Sequence, residues 1–265
     1  MRQFPSESSA KSRGFLRSLE MIQDFIRTTV LRLLKLGSRL FYRCELEWMG
    51  EVPKPPWNDL RIVTVMNHTS LFEWLFAAGL PDHFLKRIAT RGHVPVADKT
   101  ISRPFLGIFL RLLSPHMISI TREPDHTWQA VIDRLDDDSM VIIFPEGRMK
   151  RVNGLDKHGK PMTSRGGIAD VLSAIPSGHM LIAYSGGLHH VQSPGQTLPR
   201  PFKTIRMALE FVEIEAYRNG LLEREGPGGF RQAVREDLDR RRDVHSGRLE
   251  ALTYGKAVLE RRDAS

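Results

Sequence analysis

The residues best suited to chemistry in this chain are His68 and Glu73, five positions apart in the stretch Ile62 to Trp74. Imidazole changes charge near neutral pH, and a carboxylate that holds one ring nitrogen leaves the other to act as a base. On one continuous helix the two side chains would project roughly 140° apart and could not meet. They can meet if His68 lies in a turn and Glu73 in the first turn of the following helix. Ile62 to Met66 has the β-branched, apolar pattern of a buried strand, Asn67 to Ser70 has turn chemistry, and Leu71 to Gly79 reads as helical. The pair therefore stands where a strand hands over to a helix. The same residues support a second reading: Ser70-Leu71-Phe72-Glu73 is a capping box, in which the carboxylate bonds back to the Ser70 amide.

Downstream, Arg122 and Arg148 each closely follow an apolar strand pattern. Both can point from one sheet edge toward one ligand, and the guanidinium fork suits phosphate; a surface ion pair is the commoner use of a single such arginine. Glu146-Gly147 forms a tight turn. Lys150, Arg151, Lys157, Lys160 and Arg165 make the next stretch basic, as either a solvated loop or a seat for an anionic donor. Gly154 to Lys160 mimics a phosphate-binding loop until Pro161, where a Ser or Thr would have to hold magnesium. His189-His190 lacks any supporting ligand pattern, so no metal site is expected.

Taken in order, these segments resemble the glycerolipid acyltransferases typified by lysophosphatidic acid acyltransferase. Asn67-His68-x4-Glu73 resembles that family's His-x4-Asp block, and Ile118-Ser119-Ile120-Thr121-Arg122 its second block. Phe144-Pro145-Glu146-Gly147-Arg148 resembles the third and most specific block. Lys99 and Pro104-Phe105-Leu106-Gly107 fall where the family has Lys and Pro-x-x-Gly. The resemblance covers Val63 to Gly187. It departs at Glu73, one methylene longer than the usual Asp, and at Leu181 to Gly187, a fourth block without proline.

The resemblance implies acyl transfer from a thioester, acyl-CoA or acyl carrier protein, to the hydroxyl of a lysophospholipid or glycerol-phosphate-like acceptor. His68 would act directly as base, oriented by Glu73 and without an acyl-enzyme. The lack of a Gly-x-Ser-x-Gly elbow agrees. Arg122, Glu146, Gly147 and Arg148 would contact the acceptor, while Lys150, Arg151 and Arg165 are candidates for the donor. No cofactor is implied. The competing function is a non-catalytic lipid-binding or scaffold protein on the same fold.

The 265 residues suit one domain, and a net charge of +8 with a pI near 9.9 calls for an anionic partner. Nucleic acid is disfavoured, because no helix-turn-helix, single-strand aromatic platform or zinc pattern is present. One cysteine, Cys44, excludes an intramolecular disulfide and leaves a cytosolic face as the default. The polar opening is not a signal peptide, and no apolar run reaches the roughly 20 residues of a span.

Residues 1–14 read as disordered, 15–52 as an amphipathic membrane-associating segment, and 53–265 as the acyltransferase domain with a charged helical end. Over 15–43, Arg17, Arg32, Lys35, Arg39 and Arg43 share one helical arc, and Phe15, Leu19, Ile22, Ile26, Val30, Leu33 and Phe41 another. Such a helix can lie on an anionic membrane surface or pack on the domain with a solvated basic face; the family resemblance favours the first, and with it a peripheral protein on the cytoplasmic face of an anionic membrane. Strands are expected near Phe84 to Ala89, Met117 to Ile120, Met140 to Phe144, Met180 to Tyr184 and Ile205 to Ile214. Helices are expected over Ile101 to Leu113, His126 to Leu135, Ile168 to Ala174 and from Gly229. This alternation predicts a single α/β domain with a mixed, largely buried sheet flanked by helices.

Overall fold

The computed structural model describes residues 7–255 apart from 103–106, 108, 109, 111, 115, 122–125 and 194, with side chains from residue 17 onward. Arg122 and the segment Pro104-Phe105-Leu106 therefore lie outside the described residues. In chain order the elements are α1 (Glu7–Phe41), β1 (Tyr42–Met49), β2 (Leu60–Met66), a 3-10 helix (Glu73–Gly79), α2 (Asp82–Arg91), β3 (Gly92–Ala97) and α3 (Asp98–Ile101). They continue as β4 (His116–Ile120), α4 (His126–Ile132), β5 (Met140–Ile143), α5 (Gly167–Ala174), β6 (His179–Ser185), β7 (Lys203–Glu213) and α6 (Ile214–Tyr254).

The seven strands form one sheet in the order β1-β7-β6-β2-β5-β3-β4. All neighbouring pairs are parallel except β6 with β7, so the sheet is mixed. Strand alternation divides the core between its two faces. Ile62 and Met66 of β2 join Ile168, Leu172 and Val234 under α5 and α6. Val63 of β2 joins Leu31, Leu75, Phe76 and Phe84 under α1, the 3-10 helix and α2. The helix α6 breaks at Gly226, where φ is +67, and Pro227 follows as a helix-starting residue.

Local structure departs from expectation in several places. Phe84 to Ala89, expected as a strand, lies in α2. Its buried Phe84, Leu85 and Ala89 follow a helical period that a six-residue segment is too short to reveal. β1 was masked by the helical pattern before it, although its burial alternates with period two. The boundary drawn at residue 52 thus falls after a strand that is already part of the sheet. β3 carries Pro95, which argues against a central strand, yet it pairs with both β4 and β5. Residues 7–14, expected to be disordered, continue α1.

The packed side of α1 mixes apolar and polar groups, with Leu31 buried alongside Thr28, Lys35 and Ser38. Lys35 is buried with Nζ 2.5 Å from Asp82 Oδ1, Arg32 Nε lies 3.4 Å from Asp82 Oδ2, and Arg39 Nε donates to Ala78 O at 2.8 Å. Much of the basic arc is thus engaged with the domain. Met21, Ile22, Phe25, Leu33, Leu36 and Leu40 face outward, with Phe25 71% and Leu40 70% exposed. Among the described residues, no helix is long and apolar enough to cross a membrane.

Candidate active site

β2 ends at Met66, and Asn67 turns the chain with φ +64, a backbone conformation that asparagine tolerates better than most residues. The turn carries His68 out of the sheet, and the 3-10 helix opens at Glu73. One carboxylate oxygen, Glu73 Oε1, then serves three groups. It accepts the Thr69 amide at 2.9 Å and the Ser70 amide at 3.0 Å, and it stands 3.1 Å from His68 Nδ1. The capping bonds and the close approach of the imidazole thus share that atom. Nδ1 is the ring nitrogen beside the carboxylate, which leaves Nε2 as the other titratable position. The ring is also tilted against Phe144, with centroids 4.7 Å apart.

His68 and Glu73 line a cavity of about 680 Å³. Its lining is largely apolar and includes Leu31 and Leu34 of α1 and Val63, Val65, Leu181 and Ala183 of the sheet. Leu181 and Ala183 belong to the proline-free fourth block. The third block borders the same space through Phe144, Pro145, Gly147 and Arg148. Gly147 has φ +63 and closes a turn by donating to Phe144 O at 2.9 Å.

The remaining predicted residues separate. Arg148 lines the cavity and pairs with the buried Asp156. Amides of Lys160 and His158, together with Arg148, hold the Asp156 carboxyl down to about 2. Arg165 also lines the cavity. Glu146, expected at the acceptor, is buried outside the cavity lining. It accepts the Asn67 amide at 3.2 Å and the His68 amide at 2.9 Å, with Arg242 Nη1 3.3 Å away. Burial raises its pKa, while Arg242 and the two amides oppose that shift. The Asn67 and His68 amides of the turn are thus both held by this one carboxylate. Lys150, considered for the donor, faces inward: Nζ donates to Glu250 Oε1 at 3.0 Å and to Asn67 Oδ1 at 3.2 Å. Arg151 is exposed and outside the cavity lining.

Residues that reach the cavity without having been singled out from sequence include Trp128 of α4 and Arg231 and Arg235 of α6. Arg231 pairs with Asp170, whose other oxygen accepts from Trp128 Nε1 at 2.9 Å. Arg231 and Arg235 are four positions apart, which puts them on one helix face. Their spacing was legible, but which face would look into the cavity was not. Gly166 and Gly167 make room for these groups, because a Cβ at Gly166 would fall 2.1 Å from Arg231 Nε and one at Gly167 2.7 Å from Trp128 Cζ2.

Comparison with known proteins agrees with the geometry. The family described as Acyltransferase matches residues 49–183, just over half of the 265 residues. A sequence comparison with curated proteins finds no match. Among solved structures, the crystal structure of the 1-acyl-sn-glycerophosphate (LPA) acyltransferase PlsC from Thermotoga maritima superimposes with a TM-score of 0.56 at 15% identity, covering 89% of each chain. That likeness establishes the fold, and the family match covers the His68 turn and the third block: this chain belongs to the acyltransferase family.

Proposed function

We propose that the protein moves a fatty acyl group from an acyl thioester, acyl-CoA or acyl carrier protein, to the hydroxyl of a lysophospholipid or glycerol-phosphate-like acceptor. The observation that carries this reading is the His68–Glu73 pair, 3.1 Å apart, at the edge of an apolar cavity bordered by Arg148 and Arg165. The apolar lining suits an acyl chain and the arginines suit a phosphate.

The chemistry follows from that placement. His68 Nε2 takes the acceptor hydroxyl proton as the oxygen forms its bond to the thioester carbonyl carbon. Glu73 keeps Nδ1 protonated and stabilises the imidazolium that results. The tetrahedral intermediate collapses, the carbon–sulfur bond breaks, and the departing thiolate recovers the proton from His68. Ester and thiol are the products, and the imidazole returns to its starting state.

The exposed apolar side of α1 supports peripheral docking on a membrane, where such an acceptor resides. Its packing side supports a weaker electrostatic contribution than the charge count alone implies, since Lys35 and Arg32 engage Asp82.

The test is a panel of lysolipid and glycerol-phosphate acceptors with labelled acyl-CoA and acyl carrier protein, products being resolved by thin-layer chromatography. Ester formation by the wild type and its loss in H68A are expected. Lipid binding without turnover of any thioester would instead establish the non-catalytic reading.

A further inference from the structure

A second set of interactions grips the His68 turn from the opposite side of the chain. Glu250, near the end of α6, is 5% exposed. Its Oε1 accepts from Asn67 Nδ2 at 2.9 Å and from Lys150 Nζ at 3.0 Å, and Lys150 Nζ also reaches Oε2 at 3.2 Å. Asn67 Nδ2 donates in addition to Ser185 O at 2.9 Å, at the end of β6. Lys150 closes the loop through its backbone, donating its amide to His68 O at 2.7 Å. A Cβ on Gly187 would lie 3.3 Å from Glu250 Oε1, so this glycine sits close beneath the carboxylate.

Neither Glu250 nor Lys150 borders the cavity. They cannot bind a substrate there, and α6 lies beyond the residues that match the family. A buried ion pair adds little stability over apolar packing of the same volume. What this one does is fix geometry: it ties both the side chain of Asn67 and the carbonyl of His68, the two residues whose backbone sets where the imidazole stands.

We infer that Glu250, acting through Asn67 and Lys150, is a positioning residue for His68, so that the C-terminal helix completes the active-site turn. The inference rests on the proposed role of His68 as base. Reacting groups must be held closely, and a shift of about 1 Å can cost about 10²-fold in rate.

The experiment uses the full chain. E250A is expected to lower kcat by about 10- to 100-fold while the KM for donor and acceptor stays within about twofold. It should also displace the imidazole nitrogen resonances of His68, assigned by their loss in H68Q. E250Q, whose side-chain oxygen can still accept from Asn67 and Lys150, should recover most of both. K150M breaks the same clamp from the loop side and provides the measurement if E250A does not fold. Unchanged His68 resonances in folded E250A or K150M would overturn the inference whatever the turnover. Equal turnover by wild type and H68Q would remove the base reading, while the resonances would still report whether the clamp holds the ring.

Discussion

Glu73→Gln tests the site most sharply, because the structure puts the two capping amides and the His68 imidazole around the same oxygen. The amide side chain keeps the shape and one acceptor oxygen, but the charge is lost. The two amide bonds from Thr69 and Ser70, at 2.9 and 3.0 Å, change from charge-assisted to neutral. At about 1 kcal/mol each, that removes about 2 kcal/mol, a fall in Tm of roughly 4–8 °C for a chain of this size. The effect on rate is separate. Two unit charges at the 3.1 Å between His68 Nδ1 and Glu73 Oε1 attract by about 5 kcal/mol at an effective dielectric near 20. Spreading the imidazolium charge over the ring reduces this, so the expected loss in kcat is about 10²- to 10⁴-fold. The assay is single-turnover acyl transfer from labelled acyl-CoA in mixed micelles, alongside a thermal melt of the same preparation. A melt lowered as calculated with kcat within about threefold of wild type would refute the dyad and leave Glu73 as a cap alone.

H68A should fold normally by circular dichroism and lose about 10²- to 10⁴-fold in kcat; near-normal turnover would exclude the base assignment. R148A should raise the KM for a phosphorylated acceptor and spare that for the donor, a split read from steady-state kinetics; equal wild-type activity toward neutral acceptors would contradict it. Asp156 is depressed to about 2, so its contribution to stability is complete above its unfolded value of about 3.9 and is lost as pH falls between those values. Melts against pH should therefore show a shallower acid limb in D156N. L36E with L40E should weaken vesicle co-sedimentation while leaving turnover of water-soluble acceptors intact. High salt should weaken wild-type binding less than the formal charge of +8 suggests.

The local frame of the site was legible in the sequence because short-range physics builds it. A β-branched run, an asparagine able to adopt positive φ, and Ser-x-x-Glu at a helix start put His68 and Glu73 within reach of each other. The turn at Gly147 belongs to the same class, as do the mixed α/β layering and most strands, whose apolar runs have a clear period. Short apolar segments carried less information: Phe84 to Ala89 is too brief to separate strand from helix, and β1 was absorbed into the periodicity before it. Which face of α1 turns outward was beyond periodicity, since Lys35 packs inward to reach Asp82. The use made of each charge was decided in three dimensions. Glu146 and Lys150 read as ligand contacts, but the fold buries the first against the His68 amide and pairs the second with Glu250. Arg231, Arg235 and Glu250 carry no local mark of the site at all. A side chain's partner depends on which distant segment packs beside it, and Asn67 meets Glu250 across 183 residues of sequence. Periodicity reports how a segment folds onto itself; the identity of that neighbour exists only after the sheet and α6 have assembled.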